Sequence, residues 1–526
     1  MKKTTTILAF LLFQINLFAQ EQTTTEIVDT IFRKYTSWFV NAIFYEIPFS
    51  ETVKVPWVLF VLIGGAVYFT LTFKFVQFRL FGISIKTVRG KFDEIDHHGS
   101  DKTMSDDQKN HDIPETIKIE GVEGEVSHFQ ALSAALSGTV GLGNIAGVAV
   151  AISIGGPGAT FWMILAGLLG MASKFAECTL GVAYRDVDSK GIVYGGPMYY
   201  LSKGLKEKGM ANFGKIMAIV FAIFVIGGSF GGGNMFQANQ ASAQLIELFQ
   251  FTNPNSGMYI GIIMASLTAL VIIGGIKRIA KVTEMIVPFM AILYVGAALV
   301  IIFMNFGLLP KVVTLIFSEA FTGTAIAGGF IGALIQGFRR GTFSNEAGVG
   351  SAAIAHSAVK TRYPASEGVV SLLEPFIDTV VICTMTAIVL IITNINLGYF
   401  EYGVPIAEGV ELTAKAFESQ IKHSSIVLTI AVFLFAFSTM ISWSYYGLQG
   451  WKYLFGKSKI ADLTYKIVFL LFIVLGATIT LGSVIDFSDA MIFAMVVPNM
   501  IGVIILIPRI REELKKYMTA IAIVRG

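Results

Sequence analysis

Polar segments interrupt otherwise apolar stretches of this chain, and they contain the residues whose types and spacing could do chemistry. The first segment, Ser127–Gly147, begins as a small-residue helix and then places three glycines within the six positions Gly138–Gly143. Each glycine costs a helix about 1 kcal/mol relative to alanine, so a break is predicted here. At membrane depth, a break is tolerated only where protein, water or a ligand pairs the freed backbone groups. The pattern indicates a site for an ion or a small polar solute, and simple helix packing by the glycines is the alternative. The polar residues beside the break are Ser137, Thr139 and Asn144.

A second predicted break, Gly328–Ser351, places charged residues among glycines. Charges inside a span are costly, and by default they mark a pathway or a site. The alternative is that Glu346 pairs with Arg339 or Arg340 and holds the break rigid without contacting a solute. The polar residues of this break are Arg339, Arg340, Ser344, Asn345 and Glu346.

Hydroxyl groups dominate a third polar segment, Phe437–Gly447. Ser438 and Thr439 could complete a sodium shell together with carbonyls freed at the first break, because hard cations prefer oxygen ligands. Trp443 lies four residues after Thr439, on the same helix face, and could form a wall of a small pocket. The alternative is that the hydroxyls bond to carbonyls of their own helix and that Trp443 is ordinary packing.

Composition sets the class of protein. Of the 526 residues, 54% are hydrophobic and only 14% are charged, whereas a soluble domain carries about 25% charged residues. The chain is therefore predicted to be a polytopic membrane protein. Its small net charge of +3 does not indicate a nucleic-acid partner, and Cys178 and Cys383 lie in apolar stretches that predict neither a disulfide nor a metal ribbon. The GLGNIAG stretch lies within an apolar span rather than after a strand, so no nucleotide site is expected.

Eleven segments are long enough to cross the membrane. Lys and Arg are concentrated in alternate loops, so the positive-inside rule places the mature N-terminus outside and the C-terminus in the cytoplasm of a bacterial cell, in its inner membrane. The approximate cores of the spans are 57–79, 128–154, 158–184, 214–247, 257–276, 283–306, 326–353, 368–392, 425–449, 465–483 and 486–508.

The two breaks lie in the second and seventh spans, five spans apart. Repeats with an odd number of spans insert in opposite orientations, which is the organisation of secondary transporters that hold solute and coupling ion at the membrane midplane. The predicted fold is all-α, with one accessory helix and a five-plus-five inverted repeat. Its parts are a signal peptide (1–20, with an uncleaved first helix as the alternative), an outer-face amphipathic segment (21–56), the accessory transmembrane helix (57–79), a cytoplasmic loop with a hydrophilic insert (80–126), the first repeat (127–306), an outer loop (307–325), the second repeat (326–508) and a cytoplasmic tail (509–526).

Several longer motifs carry a family resemblance. GGPGATFWM (155–163) closely resembles the signature of the alanine or glycine:cation symporter family, the sodium:alanine symporters. The resemblance covers about residues 57–510 and implies a leucine-transporter-type fold that moves alanine or glycine inward with Na⁺, or with H⁺. The other motifs that carry it are TVGLGNIAGVA (139–149), GGPMYYL (195–201), RGTFSNEAGVGSAAIAH (340–356) and FSTMISWSYYG (437–447).

The resemblance also implies roles for individual residues. The carbonyls of Ser137 and Val140 would bind the cation together with Ser438 and Thr439. Apart from the resemblance, the charged and polar residues Arg340, Asn345 and Glu346 of the second break are predicted to be structural or gating residues. The expected substrate-binding residues are Thr139, Gly141, Leu142, Gly143, Asn144, Phe236, Gln237, Thr342, Ser344 and Trp443, with the backbone of Gly141–Gly143 taking the carboxylate and Phe236, Gln237 and Trp443 capping or walling the site.

Other classes of protein fit less well. A channel should show repeated pore-lining motifs, and a membrane enzyme needs a nucleophile with a base, or metal ligands at helix spacing. His128 and His356 are predicted to lie at span ends without acidic partners. Glu374 and Asp378, four residues apart, could share a helix face as a proton or gating element, or as a packing pair. A sensor built on the same fold is separated from a symporter only by flux. The expected partners are a small neutral amino acid, Na⁺ (or H⁺) and the lipid bilayer, with no cofactor, nucleotide or nucleic acid and no motif for an oligomeric state.

Overall fold

The computed structural model describes residues 24–49, 54–93, 95, 124–322, 329–404, 406 and 409–525. The predicted signal peptide, residues 1–20, lies outside the described residues. Most of the hydrophilic insert does so as well, including its three histidines at 97, 98 and 111.

Helices make up most of the described chain. Short 3₁₀ turns (Leu142–Asn144, Phe306–Leu308) and π-helical turns (Tyr200–Gly204, Gly231–Met235, Phe376–Cys383) connect some of them. Two antiparallel hairpins are formed by β1 (Glu46–Pro48) with β2 (Lys54–Pro56), and by β3 (Asp186–Val187) with β4 (Val193–Tyr194). The helices are α1 (Thr24–Ile43), α2 (Trp57–Thr72), α3 (Val76–Arg79), α4 (Phe81–Val88), α5 (His128–Thr139), α6 (Ala146–Gly155), α7 (Ala159–Ala183), α8 (Pro197–Tyr199), α9 (Leu205–Glu207), α10 (Ala211–Phe230), α11 (Phe236–Phe249), α12 (Ser256–Ile272), α13 (Gly275–Met304), α14 (Leu309–Thr322), α15 (Gly329–Asn345), α16 (Ala352–His356), α17 (Pro364–Val370), α18 (Leu373–Pro375), α19 (Thr384–Leu397), α20 (Val410–Gln420), α21 (Ser424–Phe455), α22 (Lys459–Gly476), α23 (Leu481–Ile505) and α24 (Ile507–Arg525).

Helix length and composition support fewer spans than the predicted eleven. Among the described residues, six helical runs are long and apolar enough to cross a membrane, and the bent pair α5–α6 would be a seventh. Two shorter apolar helices, α2 and α12, coincide with predicted spans. The exact count of eleven is therefore not confirmed, although every predicted core overlaps helical residues. The six runs are Ala159–Ala183, Ala211–Phe249, Gly275–Met304, Pro364–Leu397, Ser424–Phe455 and Leu481–Ile505.

Both predicted breaks are present. Helix α5 starts in a capping box at Ser127, whose hydroxyl accepts the Gln130 N–H, and the chain bends by 55° between α5 and the following helical run. At the second break, α15 ends at Asn345, and Glu346 adopts a left-handed backbone conformation (φ 55°) that stops the helix. The glycine-rich and polar stretches thus break the helices where the sequence predicts.

The start of the first broken element and the end of the second meet each other. Val126, just before α5, forms an isolated parallel β-bridge with Val359, just after α16. The Glu125 N–H donates to the Ala358 carbonyl (2.7 Å), and the Lys360 N–H donates to the Val126 carbonyl (2.8 Å). This bridge holds the start of the first broken helix against the end of the second.

Packing places the breaks in the centre of the molecule. Helix α7 packs along α15 and α17, while α21 packs against α5, α10 and α13. The residues on both sides of each break are buried. The long unbroken helices therefore surround the two broken ones.

Candidate binding site at the two helix breaks

A small cavity lies where the two breaks meet the π-helical turn Gly231–Met235 and the helices α21 and α23. The space not occupied by atoms at this site, including space open to solvent, is about 240 Å³. It has polar and aromatic walls, contributed by Gly138, Thr139, Gly143, Gly232, Gln237, Phe343, Ser344, Glu346, Trp443 and Ile492.

Side-chain amides pair part of the backbone freed at the first break. The Gly141 N–H donates to Asn144 Oδ1 (2.9 Å), and the Leu142 N–H donates to Gln237 Oε1 (3.0 Å). Gln237 is itself fixed, because its Nε2 donates to the Gly232 carbonyl (2.9 Å). Of the predicted segment Gly141–Gly143, Gly143 is the residue that lines the cavity, so a solute would contact a shorter stretch of backbone than predicted.

The residues predicted to bind a cation are brought together. Ser137 Oγ donates to the Ser438 carbonyl (2.6 Å), and Thr439 Oγ1 donates to the Ser137 carbonyl (2.9 Å). Ser442, which the sequence analysis did not single out, donates to Ser137 Oγ (3.0 Å). The Ser438 hydroxyl donates to the Phe435 carbonyl of its own helix (3.1 Å), as the alternative predicted. Oxygen atoms of α5 and α21 therefore converge beside the break, where Val140 ends α5.

Tight packing at glycine fixes this convergence. A Cβ atom at Gly141 would lie 2.5 Å from Thr439 Oγ1, and one at Gly233 would lie 2.2 Å from Cγ of Trp443. Real Cβ contacts are not this close, so any side chain at position 141 would displace the threonine hydroxyl. Glycine at 233 allows the Trp443 ring to reach the cavity.

At the second break, Glu346 does not pair with an arginine. Its carboxylate accepts hydrogen bonds from Trp443 Nε1 (2.9 Å) and from the Ser351 hydroxyl. Arg339 Nε donates to Asp489 Oδ2 (2.9 Å), and Arg340 also binds Asp489. The alternative in which Glu346 pairs with these arginines is wrong, and Glu346 instead faces the cavity.

Two asparagines attach the breaks to the π-helical segment Phe376–Cys383. Asn144 Nδ2 donates to Asp378 Oδ1 (2.6 Å), and Asn345 Nδ2 donates to Thr379 Oγ1 (2.9 Å). Ser344 Oγ lies 3.4 Å from Cys383 Sγ. These contacts hold both breaks against the same helix.

The expectation that two histidines lack acidic partners is wrong. Both His128 and His356 contact the carboxylate of Glu367, and His356 also contacts Glu374. Glu374 and Asp378 bind different partners, so they act neither as one packing pair nor as one element. The acidic partners escaped the sequence analysis because they lie 11 to 239 residues away along the chain.

The predicted site residues fall into two groups. Thr139, Gly143, Gln237, Ser344, Glu346 and Trp443 line the cavity. The other predicted residues are not among those that line it. Of these, Phe236 packs edge-on against the lining residue Phe343 with 5.5 Å between ring centroids, and the buried Thr342 accepts the Glu346 N–H through its carbonyl (2.8 Å).

Four cavity residues were not predicted. Phe343 lies inside the second break, so a closer inspection of that segment could have found it. Ile492 is an apolar residue in an apolar span, and no sequence signal distinguishes it. The other two are the glycines at 138 and 232.

Two discontinuous helices whose breaks line one buried, polar, aromatic-walled cavity are typical of secondary active transporters. The solved structure of MhsT in complex with L-phenylalanine has the same fold, with a TM-score of 0.53 and 16% identity over 70% of this chain and 87% of that chain. The fold is thus leucine-transporter-type, as expected.

The chain belongs to the sodium:alanine symporter family, whose model matches residues 38–523. The sodium/alanine symporter AgcS of Methanococcus maripaludis is 40% identical, covering 88% of this chain and 94% of that protein. The amino-acid carrier protein AlsT of Bacillus subtilis is 33% identical, covering 87% of this chain and 90% of that protein. Membership implies a multi-pass membrane protein that couples transport to Na⁺.

Proposed function

We propose that this protein imports a small neutral amino acid, alanine or glycine, together with Na⁺ by alternating access. The observation that carries the proposal is the cavity itself, whose lining combines the backbone of the first break at Gly143 and the carboxylate of Glu346 with the apolar side chains of Phe343, Trp443 and Ile492. These features match the two charges and the short side chain of a small zwitterion.

The carboxylate of the amino acid would bind at Gly143. This residue lies in the turn that leads into α6, and a helix N-terminus presents N–H groups and a positive dipole end to an anion. The N–H groups of Gly141 and Leu142 already have protein partners, so they support the turn. In the proposed complex, the substrate carboxylate therefore contacts Gly143 rather than the whole segment Gly141–Gly143.

The ammonium group of the amino acid would face Glu346. Its carboxylate is buried, lines the cavity and is oriented by Trp443 Nε1 and Ser351. A charge-assisted bond in such a buried setting is stronger than one between neutral groups. Phe343, Trp443 and Ile492 leave little space for a larger side chain, which favours alanine and glycine.

Na⁺ would bind where α5 and α21 meet. The carbonyls of Ser137 and Val140 with the hydroxyls of Ser438 and Thr439 supply the hard oxygen ligands that this cation prefers. In support, Thr439 Oγ1 lies only 2.9 Å from the Ser137 carbonyl oxygen. The same break therefore serves both the ion and the solute.

The proposed organisation is an inverted repeat of residues 127–306 and 326–508, with the mature N-terminus outside and the C-terminus in the cytoplasm of a bacterial inner membrane. One charge moving down 100 mV supplies about 2.3 kcal/mol. That free energy corresponds to about fortyfold accumulation of a neutral amino acid, before the sodium gradient contributes.

The test is uptake of labelled alanine into proteoliposomes, with and without an inward Na⁺ gradient, at fixed pH and clamped potential. We expect uptake only with the gradient, and competition by glycine. Uptake driven equally well by a proton gradient would change the ion, and alanine binding without uptake under either gradient would identify a sensor.

A further inference from the structure

A connected group of buried titratable side chains lies on the far side of the second break from Arg340. His356 contacts Glu367 through Nδ1 (2.5 Å) and Glu374 through Nε2. Lys174 Nζ lies 3.0 Å from Glu374 Oε2, and His128 Nδ1 contacts the other oxygen of Glu367. We call His128, Lys174, His356, Glu367 and Glu374 the His356 cluster.

The contacts of His356 fix a minimum number of protons. A neutral imidazole has one N–H, and an ionised carboxylate can only accept. Each ring nitrogen of His356 faces a carboxylate oxygen. Both hydrogen bonds can form only if the group holds one proton more than a neutral imidazole and two ionised carboxylates hold together. Glu374 is stabilised as the anion by Lys174, and Glu367 by His128, so the extra proton belongs on His356.

Charge balance requires the same proton. Lys174, Glu367 and Glu374 carry one positive and two negative charges and are fully buried, while His128 is 9% exposed. With His128 neutral, one proton on His356 makes the group neutral, and without that proton a net negative charge would be buried at high cost. The further titratable groups that interact with Lys174 add only acidic side chains, namely Glu177, Cys178, Glu346 and Asp378.

The position of the cluster couples this proton to the broken helices. His128 is the first residue of α5 and His356 is the last residue of α16, and the β-bridge between Val126 and Val359 ties these two ends together. Their carboxylate partners belong to the neighbouring segments α17 and α18. The histidines therefore attach the joined ends of both broken helices to the surrounding helices.

We propose that the His356 cluster is a proton-binding site, with His356 held as an imidazolium, whose proton keeps α5 and α16 docked. When these ends undock, His356 enters water, where an imidazole has a pKa of about 6.5, and the proton passes to solvent. The docked state then binds one proton more than the undocked state. Above about pH 6.5, the undocked fraction should rise by up to tenfold per pH unit until the docked cluster also loses its proton.

The first experiment is ¹⁵N NMR of the full-length protein labelled at its six histidines. At pH 8 we expect one imidazolium signal, which is absent in His356→Gln. If all histidines are neutral at pH 8, or if the imidazolium signal persists in His356→Gln, the assignment is overturned. Neither alanine nor Na⁺ is needed, so this outcome is independent of whether the proposed transport is found.

The second experiment measures docking by spin-label distances between Phe129→Cys on α5 and Lys515→Cys on α24, in nanodiscs from pH 6 to 9. Both positions are exposed and both native cysteines are buried, so labelling is selective. Helix α24 packs on α17, which carries Glu367, so this distance reports docking directly.

We expect the undocked fraction to rise with pH in the otherwise unmodified protein and to be independent of pH in His356→Gln. Glu367→Gln, which removes the need for the proton, is a second variant with the same expectation. The exposed His423→Asn is the matched control and should keep the pH dependence. A pH-independent distance in the unmodified protein, or an unchanged slope in both cluster variants, would overturn the proposal.

Discussion

Two buried ion clusters involve the chain before and after the second break, and they differ in their cationic side chains. On the helix before the break, Arg339 and Arg340 share one carboxylate, Asp489; we call these three residues the Asp489 cluster. After the break, the cations are histidines and a lysine. Arginine stays charged at any pH that a protein experiences, whereas histidine titrates near neutrality. The segment before the second break is thus bound by charges that do not titrate near neutral pH, and the segment after it by a histidine whose charge depends on its proton.

The strongest test of this comparison is Asp489→Asn. It removes the carboxylate that binds both arginines, one of which is only 3% exposed, and breaking a buried pair costs about 3–5 kcal/mol. We expect a large drop in thermal stability in detergent and loss of alanine uptake at every pH. Asp93→Asn, at an exposed aspartate that follows α4, is the control. Equal melting temperatures for the two variants would contradict the role of the cluster.

Glu346→Gln tests the cavity residue that lies between the two clusters along the chain. The amide keeps the shape of the side chain but removes the charge proposed to bind the substrate ammonium group. A hydrogen bond to a charged group is worth about 1.5–3 kcal/mol, so alanine affinity should fall by about 10- to 150-fold. Isothermal titration with alanine measures the change. Glu284→Gln, whose carboxylate accepts from Gln130 away from the cavity, should bind normally; unaltered affinity in Glu346→Gln would exclude the ammonium contact.

A smaller effect is expected for Thr439→Ala, which removes one proposed ligand of Na⁺. Losing a neutral hydroxyl contact costs about 0.5–1.5 kcal/mol, so the Na⁺ concentration for half-maximal uptake should rise by roughly 2- to 12-fold, with little change in the maximal rate. Ser444→Ala on the same helix, where the hydroxyl donates to the Ile441 carbonyl (2.6 Å), is the control. An unchanged Na⁺ requirement would remove Thr439 from the cation site.

The breaks could be predicted from the sequence because their causes are local. Three glycines between 138 and 143, and the charged residues among glycines after Arg339, cannot continue an apolar helix. The approach of Thr439 to Ser137 could also be proposed, since polar groups inside spans need one another.

The ion partners could not be predicted, because they join different spans. Arg340 and Asp489 are 149 residues apart, and His128 and Glu367 are 239 residues apart. Local spacing suggested Glu346 as the partner of the arginines and Asp378 as the partner of Glu374. Tertiary packing decides otherwise, and one sequence alone does not contain that information. Ile492 escaped for the same reason, since only packing against the breaks makes it part of the cavity.

A third ion cluster, formed by Asp462 with Lys452 and Lys466, lies at the first turn of α22. It is partly exposed and precedes the predicted span 465–483, so it shows what such a cluster contributes when it is not buried. Burial alone would raise the pKa of Asp462, but hydrogen bonds from Lys466 and Lys452 outweigh it and lower the pKa below its ordinary value of about 3.9. Its stabilising contribution is therefore present above that value and is lost as the pH falls through the folded-state pKa. Partly exposed pairs are worth about 0.2–1 kcal/mol, so Asp462→Asn should lower thermal stability slightly at pH 7, the difference should vanish at strongly acidic pH, and alanine uptake should be unchanged. A loss of thermal stability as large as that of Asp489→Asn would show that burial does not distinguish the Asp462 cluster from the two buried ones.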